Sequence, residues 1–342
     1  MRDMETPDQP IATTHECITK RRRFRLGSWH ERFARPAVGV DIGRSAIKAV
    51  AIDTRRQPPR ITGHAIVPRP ASAGSPTGAG TGRAIRSAVR KAARRPGPIA
   101  CAIPANEAIT RHVEAPAGLT GDALAMHLAL SIEDHLHQPP EQLCYDIRPR
   151  GPVPERGSQQ AVLLVATRRG VLAERQAAFR RARLRCDVVD IEDRALARTL
   201  ELVGAVVKDP ESAAAVEGLF DAGEGQLQFH VFSAGEPLHG QSHPVGPDGD
   251  LAAAMARAHA VYQGSHEARP IARLWLTGGA SAGLPPVSPD PTLSLTPVPL
   301  DPLPALGVAA RVDTAALAAN MPRLASAIGL ALHAGANDAH WR

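Results

Sequence analysis

Aromatic residues are scarce, 3% of the chain as six Phe, two Tyr and three Trp. Ala, Val, Leu and Ile must therefore fill the core, and no aromatic platform exists on which single-stranded bases could stack. Cysteine is also sparse. Cys17, Cys101, Cys144 and Cys186 lie scattered without CxxC spacing, which argues against a zinc cluster or disulfide framework and suits a reducing compartment. No apolar run reaches the ~18–20 residues needed to span a bilayer, and the N-terminus lacks an apolar signal core. The expectation is a cytoplasmic protein.

Charge is plentiful but uneven. The net charge is +6, and Arg21, Arg22, Arg23, Arg25, Arg32 and Arg35 crowd into the first stretch beside Phe24, Trp29 and Phe33. Residues 1–35 read as a basic, disordered arm. Such an arm can touch anionic lipid at about 1 kcal/mol per basic residue. With no Arg-rich recognition helix downstream, no nucleic-acid partner is expected. A length of 342 residues exceeds one compact domain, and 31 prolines with 29 glycines imply many loops between short elements.

Strand signals run over 37–42, 46–52 and 61–67, followed by the loop "ASAGSPTGAGTG" and a helical stretch at 83–95. "GPIACAIP" reads as a buried strand and "AITRHVEAP" as another. Thr120 can cap a helix running to about His137, with Leu124, Leu128, Ile132 and Leu136 forming its core-facing ladder. The pair Pro139–Pro140 stops it. His127, Asp134, His135 and His137 flank that ladder without HExxH spacing, so they read as a solvated face rather than a metal site. "LCYDIRP" and the nearly all-apolar "AVLLVATRR" are strands, the second central. A basic helix at 171–184, a strand "CDVVDI" and a helix from near Asp193 follow. The basic run "RQAAFRRARLR" reads as an amphipathic surface helix. Asp187, Asp190, Glu192 and Asp193 read as a strand end and a helix N-terminus, where acids favour the dipole.

From about residue 211 the pattern restarts: strand, glycine turn, strand, turn, strand. V-D-I-G in the first half is matched by F-D-A-G in the second, each opening a hairpin, which points to an internal duplication. The chemistry follows from the turns. Gly43 and Gly223 permit close approach of backbone N–H donors to phosphate. Asp41 and Asp221 can hold the waters of a Mg²⁺ ion, which prefers one or two carboxylates. Lys48 can reach phosphate as a point charge, and Gly278–Gly279 in "LTGGAS" leave a flat surface suited to an adenine ring or ribose.

In the order D-x-G…K, D-x-G, strand-G-G, the chain resembles the actin-like ATPase superfamily. Within it, "VGVDIGRSAIKAVAI", "CAIPANEAITRHVEAP", "IEDHLHQPPEQLCYDIRP", "VLLVATRRGVLAERQAAFRRARLRCDVVDIEDRALARTL" and "LASAIGLALH" resemble the PilM family of type IV pilus assembly. The resemblance implies an α/β, actin-like (ribonuclease H-like) duplicated two-domain fold. It implies a first actin-like subdomain at 36–104 and an inserted subdomain of the PilM and FtsA type at 105–186. The second half would occupy 187–342, with a fourth subdomain reduced to a short helical piece at about 246–267. It further implies that ATP and Mg bind through Asp41, Gly43, Ser45, Ala46 and Lys48 in the first phosphate loop. Asp221 and Gly223 would form the second loop, and Gly278 and Gly279 would back the adenosine. Asp41 and Asp221 would hold Mg through water.

Two positions depart from the family pattern. Arg44 stands where a small residue is frequent, and Gln226 where Ser or Thr is common. No residue stands out as orienting an attacking water, so the catalytic residue is unknown and ATP binding is better supported than hydrolysis. The implied role is a scaffold recruited to the inner face of the cytoplasmic membrane, membrane-peripheral at most, beside other inner-membrane pilus platform proteins. Its partner would be the cytoplasmic N-terminal tail of a PilN-like membrane protein, lying as an extended peptide in a groove between the first and inserted subdomains. The alternatives are a small-molecule kinase of the same superfamily or an FtsA-like filament-forming protein.

Overall fold

A computed structural model describes residues 35–70, 78–153, 156–207, 215–245, 250–266, 268–281 and 295–336. The basic arm up to residue 34, the loop at 71–77 and the last residues, 337–342, lie outside these ranges. The chain clusters into two compact units, residues 107–172 and a larger one containing 30–106 and 173–342.

The larger unit opens with a meander: β1 (Ala37–Ile42), β2 (Ala46–Asp53) and β3 (Arg60–Pro68). Alternation of Val, Ile and Ala over these strands produces the pairing β1–β2 and β2–β3, both antiparallel. Helix α1 (Ala79–Ala92) returns the chain to β4 (Ile99–Ile103), which runs parallel to β1. Ile85, Ala88 and Val89 of α1 are buried against the β-sheet residues Val38, Ile47 and Ala49. The sequence placed this helix at 83–95. It starts earlier because Gly80 and Gly82 are packed against Pro70 and Arg181, so tertiary contact overrides poor propensity. It ends at Ala93, which is extended, ahead of Arg94, Arg95 and Pro96.

The smaller unit holds β5 (Ala108–Pro116), α2 (Gly121–Ala129), α3 (Ile132–Leu136), β6 (Leu143–Val153) and β7 (Arg156–Arg168). Its sheet order is β5-β7-β6, with the apolar β7 central as its composition requires. Leu124, Leu128, Ile132 and Leu136 are all buried against it. The single helix expected over 120–137 is broken instead. Ser131 donates its N–H to the Leu128 carbonyl at 3.1 Å, and its hydroxyl competes locally for backbone and His135. The second piece stops at His137, which is left-handed, just before the proline pair.

Helix α4 (Arg169–Arg181) leads to β8 (Val188–Ile191), which adds to β4 in parallel, and then to α5 (Glu192–Val207). The second meander is β9 (Val216–Gly223), β10 (Gln226–Ser233) and β11 (Glu236–Pro244). Helix α6 (Leu251–Gln263), N-capped by the Asp250 carboxylate, returns to β12 (Arg273–Thr277) and β13 (Val298–Pro299). The two sheets share one plan. Three antiparallel strands and two parallel ones run β3-β2-β1-β4-β8 in the first and β11-β10-β9-β12-β13 in the second. The restart at residue 211 is therefore a structural duplication. β14 (Gly307–Val308) crosses back to the outer edge of the first sheet beside β3. Helix α7 (Thr314–Asn320), which the sequence reading did not mark, and α8 (Ala325–Gly335) complete the chain.

Helices α5 and α8 cross at contact distance in the middle of this unit. A Cβ on Gly329 would lie 1.8 Å from the Ala195 carbonyl oxygen, and one on Gly39 would lie 2.0 Å from that of Ala327. Thr199 Oγ1 donates to the Ala325 carbonyl at 2.9 Å across the crossing. Asp190, at the end of β8, accepts from Arg198 on α5, from His333 Nδ1 on α8 at 2.7 Å, and from its neighbour's N–H. Burial alone would raise this carboxyl. The His333 hydrogen bond and the Arg198 charge outweigh burial and lower it from 3.8 to about 2. The pair therefore contributes stability above the ordinary carboxylate range, lost only as pH falls through about 2. Among the described residues no single helix is long and apolar enough to cross a membrane, and α8 spends its apolar residues on this crossing.

Gly329→Val is expected to force the two helices apart and cost about 3 kcal/mol. Thermal denaturation followed by circular dichroism measures it; a midpoint equal to that of the unsubstituted chain would refute the close-packed crossing.

Candidate functional site: a cleft between two duplicated turns

The two β-hairpins pair in the same register around their Asp residues. In the first, Asp41 sits opposite Lys48 across β1 and β2; in the second, Asp221 sits opposite Gln228 across β9 and β10. Cross-strand partners on one face lie within side-chain reach, and each hairpin uses this differently. Lys48 Nζ binds Asp41 Oδ2 at 2.7 Å, while Gln228 Nε2 donates to Glu192 Oε2 at 3.1 Å. Glu192 stands at the first turn of α5, directly after β8. Three carboxylates and one ammonium are thus grouped where the two halves of the larger unit meet, close enough for their charges to shift the titration of Lys48, Glu192 and Asp221.

The electrostatics of this group are unbalanced. Burial pushes the Glu192 carboxyl up to about 8, the Asp221 and Asp41 charges adding to the effect, while Gln228 and Lys48 oppose it. Burial likewise raises Asp221 to about 6, with Lys48 opposing and Asp41 adding. Burial works against the Lys48 ammonium, but the charges of Asp41, Asp221 and Glu192 together hold it above its ordinary value. No described residue donates a hydrogen bond to Asp221. The cleft floor is short of positive charge, which is the chemistry of a site completed by a cation.

Each expected site residue can now be placed. Gly43 forms the tight turn: its N–H donates to the Ala46 carbonyl at 3.0 Å, and a Cβ there would lie 2.9 Å from that oxygen. Gly223 has more room, 3.4 Å from the Gln226 carbonyl. Ser45 and Ala46 line an open cavity of about 450 Å³ together with His64, Asn320 and Arg323. Gly278, at φ +97°, brings the third turn against the second: a Cβ would lie 2.4 Å from Asp221 Oδ1 and 2.3 Å from the Ala222 carbonyl. Its missing side chain therefore serves close packing of β12 on β9. Gly279 faces the Arg323 side chain at 3.6 Å. The three turns are brought together, anchored by hydrogen bonds from Thr277 Oγ1 and the Gly278 N–H to the Pro322 carbonyl at 2.8 and 2.6 Å.

Several residues at the site escaped the sequence reading. Glu192 is the helix-terminal acid its position implies, and it also faces the cleft. The detectable signal was its place directly after the strand "CDVVDI", at the strand end where a doubly wound sheet presents its site. Arg69 donates to the Gly43 carbonyl at 3.2 Å, and its N–H donates to the Ser45 carbonyl at 2.6 Å, bracing the first turn. Arg44 reaches across to the second turn, its Nη1 3.8 Å from a Cβ position on Gly225. Arg69 and Arg323 carry no local signal, since their placement depends on β3 and on the turn after α7, whereas Arg44 stands out in the sequence as a departure and only its partner, the facing hairpin, comes from the fold.

Glu192 makes stability depend on pH in a definite direction. The unfolded carboxyl ionises near 4.5 and the folded one near 8. Between those values the folded state holds a proton that the unfolded state has released, so stability falls as pH rises. Glu192→Gln is expected to flatten that slope and to stabilise the nucleotide-free chain at pH 8 by on the order of 2 kcal/mol. Urea denaturation across this window is the measurement; an unchanged slope would overturn the placement of Glu192.

A family model described as type IV pilus assembly protein PilM matches residues 39–250. Among solved structures, a chain of a PilM-PilN type IV pilus biogenesis complex is similar, at 23% identity and TM-score 0.67 over 88% of this chain and 99% of that one. The cytoplasmic domain of EpsL, an inner membrane component of the type II secretion system of Vibrio cholerae, is similar at 14% identity and TM-score 0.41, covering 70% and 80%. An inorganic polyphosphate/ATP-glucomannokinase from Arthrobacter sp. strain KM is similar at 14% identity and TM-score 0.44, covering 88% and 98%. The first shows the fold, the duplicated actin-like architecture; the other two superpose too loosely to carry weight. With the matched stretch running from β1 through both D-x-G turns, the chain belongs to the family of the type IV pilus assembly protein PilM.

Proposed function

We propose that the protein is a cytoplasmic, Mg-ATP-binding scaffold of the type IV pilus assembly platform, docking the cytoplasmic tail of a PilN-like membrane protein at the inner face of the membrane. One observation carries the nucleotide reading: two equivalent turns meet over the Asp41–Lys48 pair, with Asp221 lacking any hydrogen-bond donor among the described residues. The residue set fits the ligand. Asp41 and Asp221 would hold Mg²⁺ through its waters, since that ion retains most of its hydration and takes one or two carboxylates. No group of three His, Cys, Asp or Glu among the described residues is arranged to enclose a metal directly. Bound there, the ion would neutralise phosphate charge.

The chain's own groups do the rest. Gly43, Ser45 and Ala46 offer backbone N–H groups and close approach, Lys48 offers a charge now held by Asp41, and Gly223 opens the second turn. Gly278 and Gly279 would back the adenosine. Glu192 is the carboxyl we assign to orienting a water, and protonated at neutral pH it is a poor base, in keeping with binding ahead of hydrolysis. The crossing of α5 and α8 would act as the hinge on which the two halves close.

The family assignment favours a pilus-assembly scaffold over the kinase and filament alternatives. The PilN reading draws on the architectural likeness to a PilM-PilN complex, and recruitment to the membrane would follow from that partner.

Asp41→Ala and Asp221→Ala are each expected to weaken Mg-ATP binding by about ten-fold or more, roughly 1.4 kcal/mol, without lowering the thermal midpoint. Isothermal calorimetry measures both, and unchanged affinity in Asp41→Ala would sink the phosphate-loop assignment. A synthetic peptide of the PilN-like tail is expected to bind with an affinity that shifts when Mg-ATP is added; silence in both conditions would refute the scaffold reading.

A further inference from the structure

Two basic stretches far apart in sequence become neighbours in the fold. Between Gly78 and Pro98 the chain carries Arg83, Arg86, Arg90, Lys91, Arg94 and Arg95 and no acidic residue. Helix α1 buries its Ala, Ile and Val face, so these cations line its solvent side. At the N-terminal end of α1, Gly82 packs on the end of α4, where a Cβ would lie 2.9 Å from Arg181 Cβ. This contact sets Arg180, Arg181 and Arg183, all exposed, beside the first turns of α1. At its other end, the Gly97 N–H donates to the Pro36 carbonyl at 2.8 Å, so the chain leading in from the basic arm passes close to Arg94 and Arg95.

None of these nine cations has an ion pair with a described residue. Other exposed arginines do: Arg55 pairs with Asp53, Arg156 with Glu114 and Arg185 with Asp187. The surface also has relief, a shallow depression of about 400 Å³ lined by Arg83, Arg86, Ser87, Arg90 and Lys91. Unneutralised like charges on one helix repel each other, so the face is stabilised by an external anion array rather than by the protein itself. No aromatic or amide side chain stands among the cations of α1 to read a base or grip a peptide backbone. Point charges spread along an outward helix match a fluid layer of headgroup phosphates.

We propose that the outer face of α1, extended by the end of α4, docks on an anionic lipid surface. The choice of lipid over nucleic acid rests on the proposed docking to a membrane protein's tail; the lipid experiment uses no peptide, so the two readings fail separately. Each cation near such a surface strengthens binding about five-fold, and salt screens it.

The test is co-sedimentation of the full chain with vesicles of phosphatidylcholine, pure or containing about one-third phosphatidylglycerol. The expected result is binding to the anionic vesicles alone, reversed by high salt. Combined R83E/R86E/R90E/K91E replacement is expected to lower it by more than about 100-fold, with an unchanged thermal midpoint; the milder R83Q/R86Q/R90Q/K91Q decides the matter if the reversal fails to fold. Replacing Arg21, Arg22, Arg23 and Arg25 by Gln is expected to lower binding by less than the α1 replacement does. The proposal is overturned if the α1 variants bind like the unsubstituted chain, if the arm replacement alone abolishes binding, or if duplex DNA strips the protein from the vesicles at equal salt.

Discussion

The crossing of α5 and α8 is the contact on which the larger unit depends. Backbone meets backbone at Ala195 and Gly329, closer than any side chain would allow, and the same pair of helices shares the Asp190 carboxylate through Arg198 and His333. α5 carries the chain from the last strand of the first sheet toward the second, and α8, after the chain has returned through β14, packs on β1. A wider crossing would shift α8, whose backbone packs on Gly39 of β1, the strand that leads into the Asp41 turn. Alanine-rich helices and small residues on facing surfaces are therefore what the cleft geometry requires, and the low aromatic content of the chain is consistent with that.

The cleft shows how a duplication becomes asymmetric. Asp41 and Asp221 are equivalent, as are Lys48 and Gln228. One copy has kept a cation and neutralises its own carboxylate. The other carries an amide that reaches Glu192 instead, leaving the Asp221 carboxylate without a hydrogen-bond donor among the described residues. The difference in protonation follows directly: Asp221 and Glu192 are both raised, and Lys48 is held charged by all three acids. Arg44 reaches the opposing hairpin turn, so its bulk at a position where a small residue is frequent has a structural setting.

Most of the strand plan could be read from the chain, because alternating Val, Ile and Ala leave little choice of partner face. The same holds for the duplicated D-x-G turns and for the ladder Leu124, Leu128, Ile132 and Leu136. Helix limits were less legible. Glycines at 80 and 82 argue against a helix locally, yet they are held in one by Pro70 and Arg181, and Ser131 breaks a ladder whose apolar spacing continues unbroken through the break.

Sequence by itself determined the repeat, the identity of the turns and the supply of charge, since these follow from residue type and short-range spacing. Only the tertiary structure decided which acids confront one another, because Asp41, Glu192 and Asp221 lie far apart in sequence and are brought together by helix crossing and sheet register. It also decided that Gly278 has no room for a side chain against Asp221 and Ala222, and that two separate runs of arginine form one face. Charge and burial act through distance, and distance between remote residues exists only once the chain has folded.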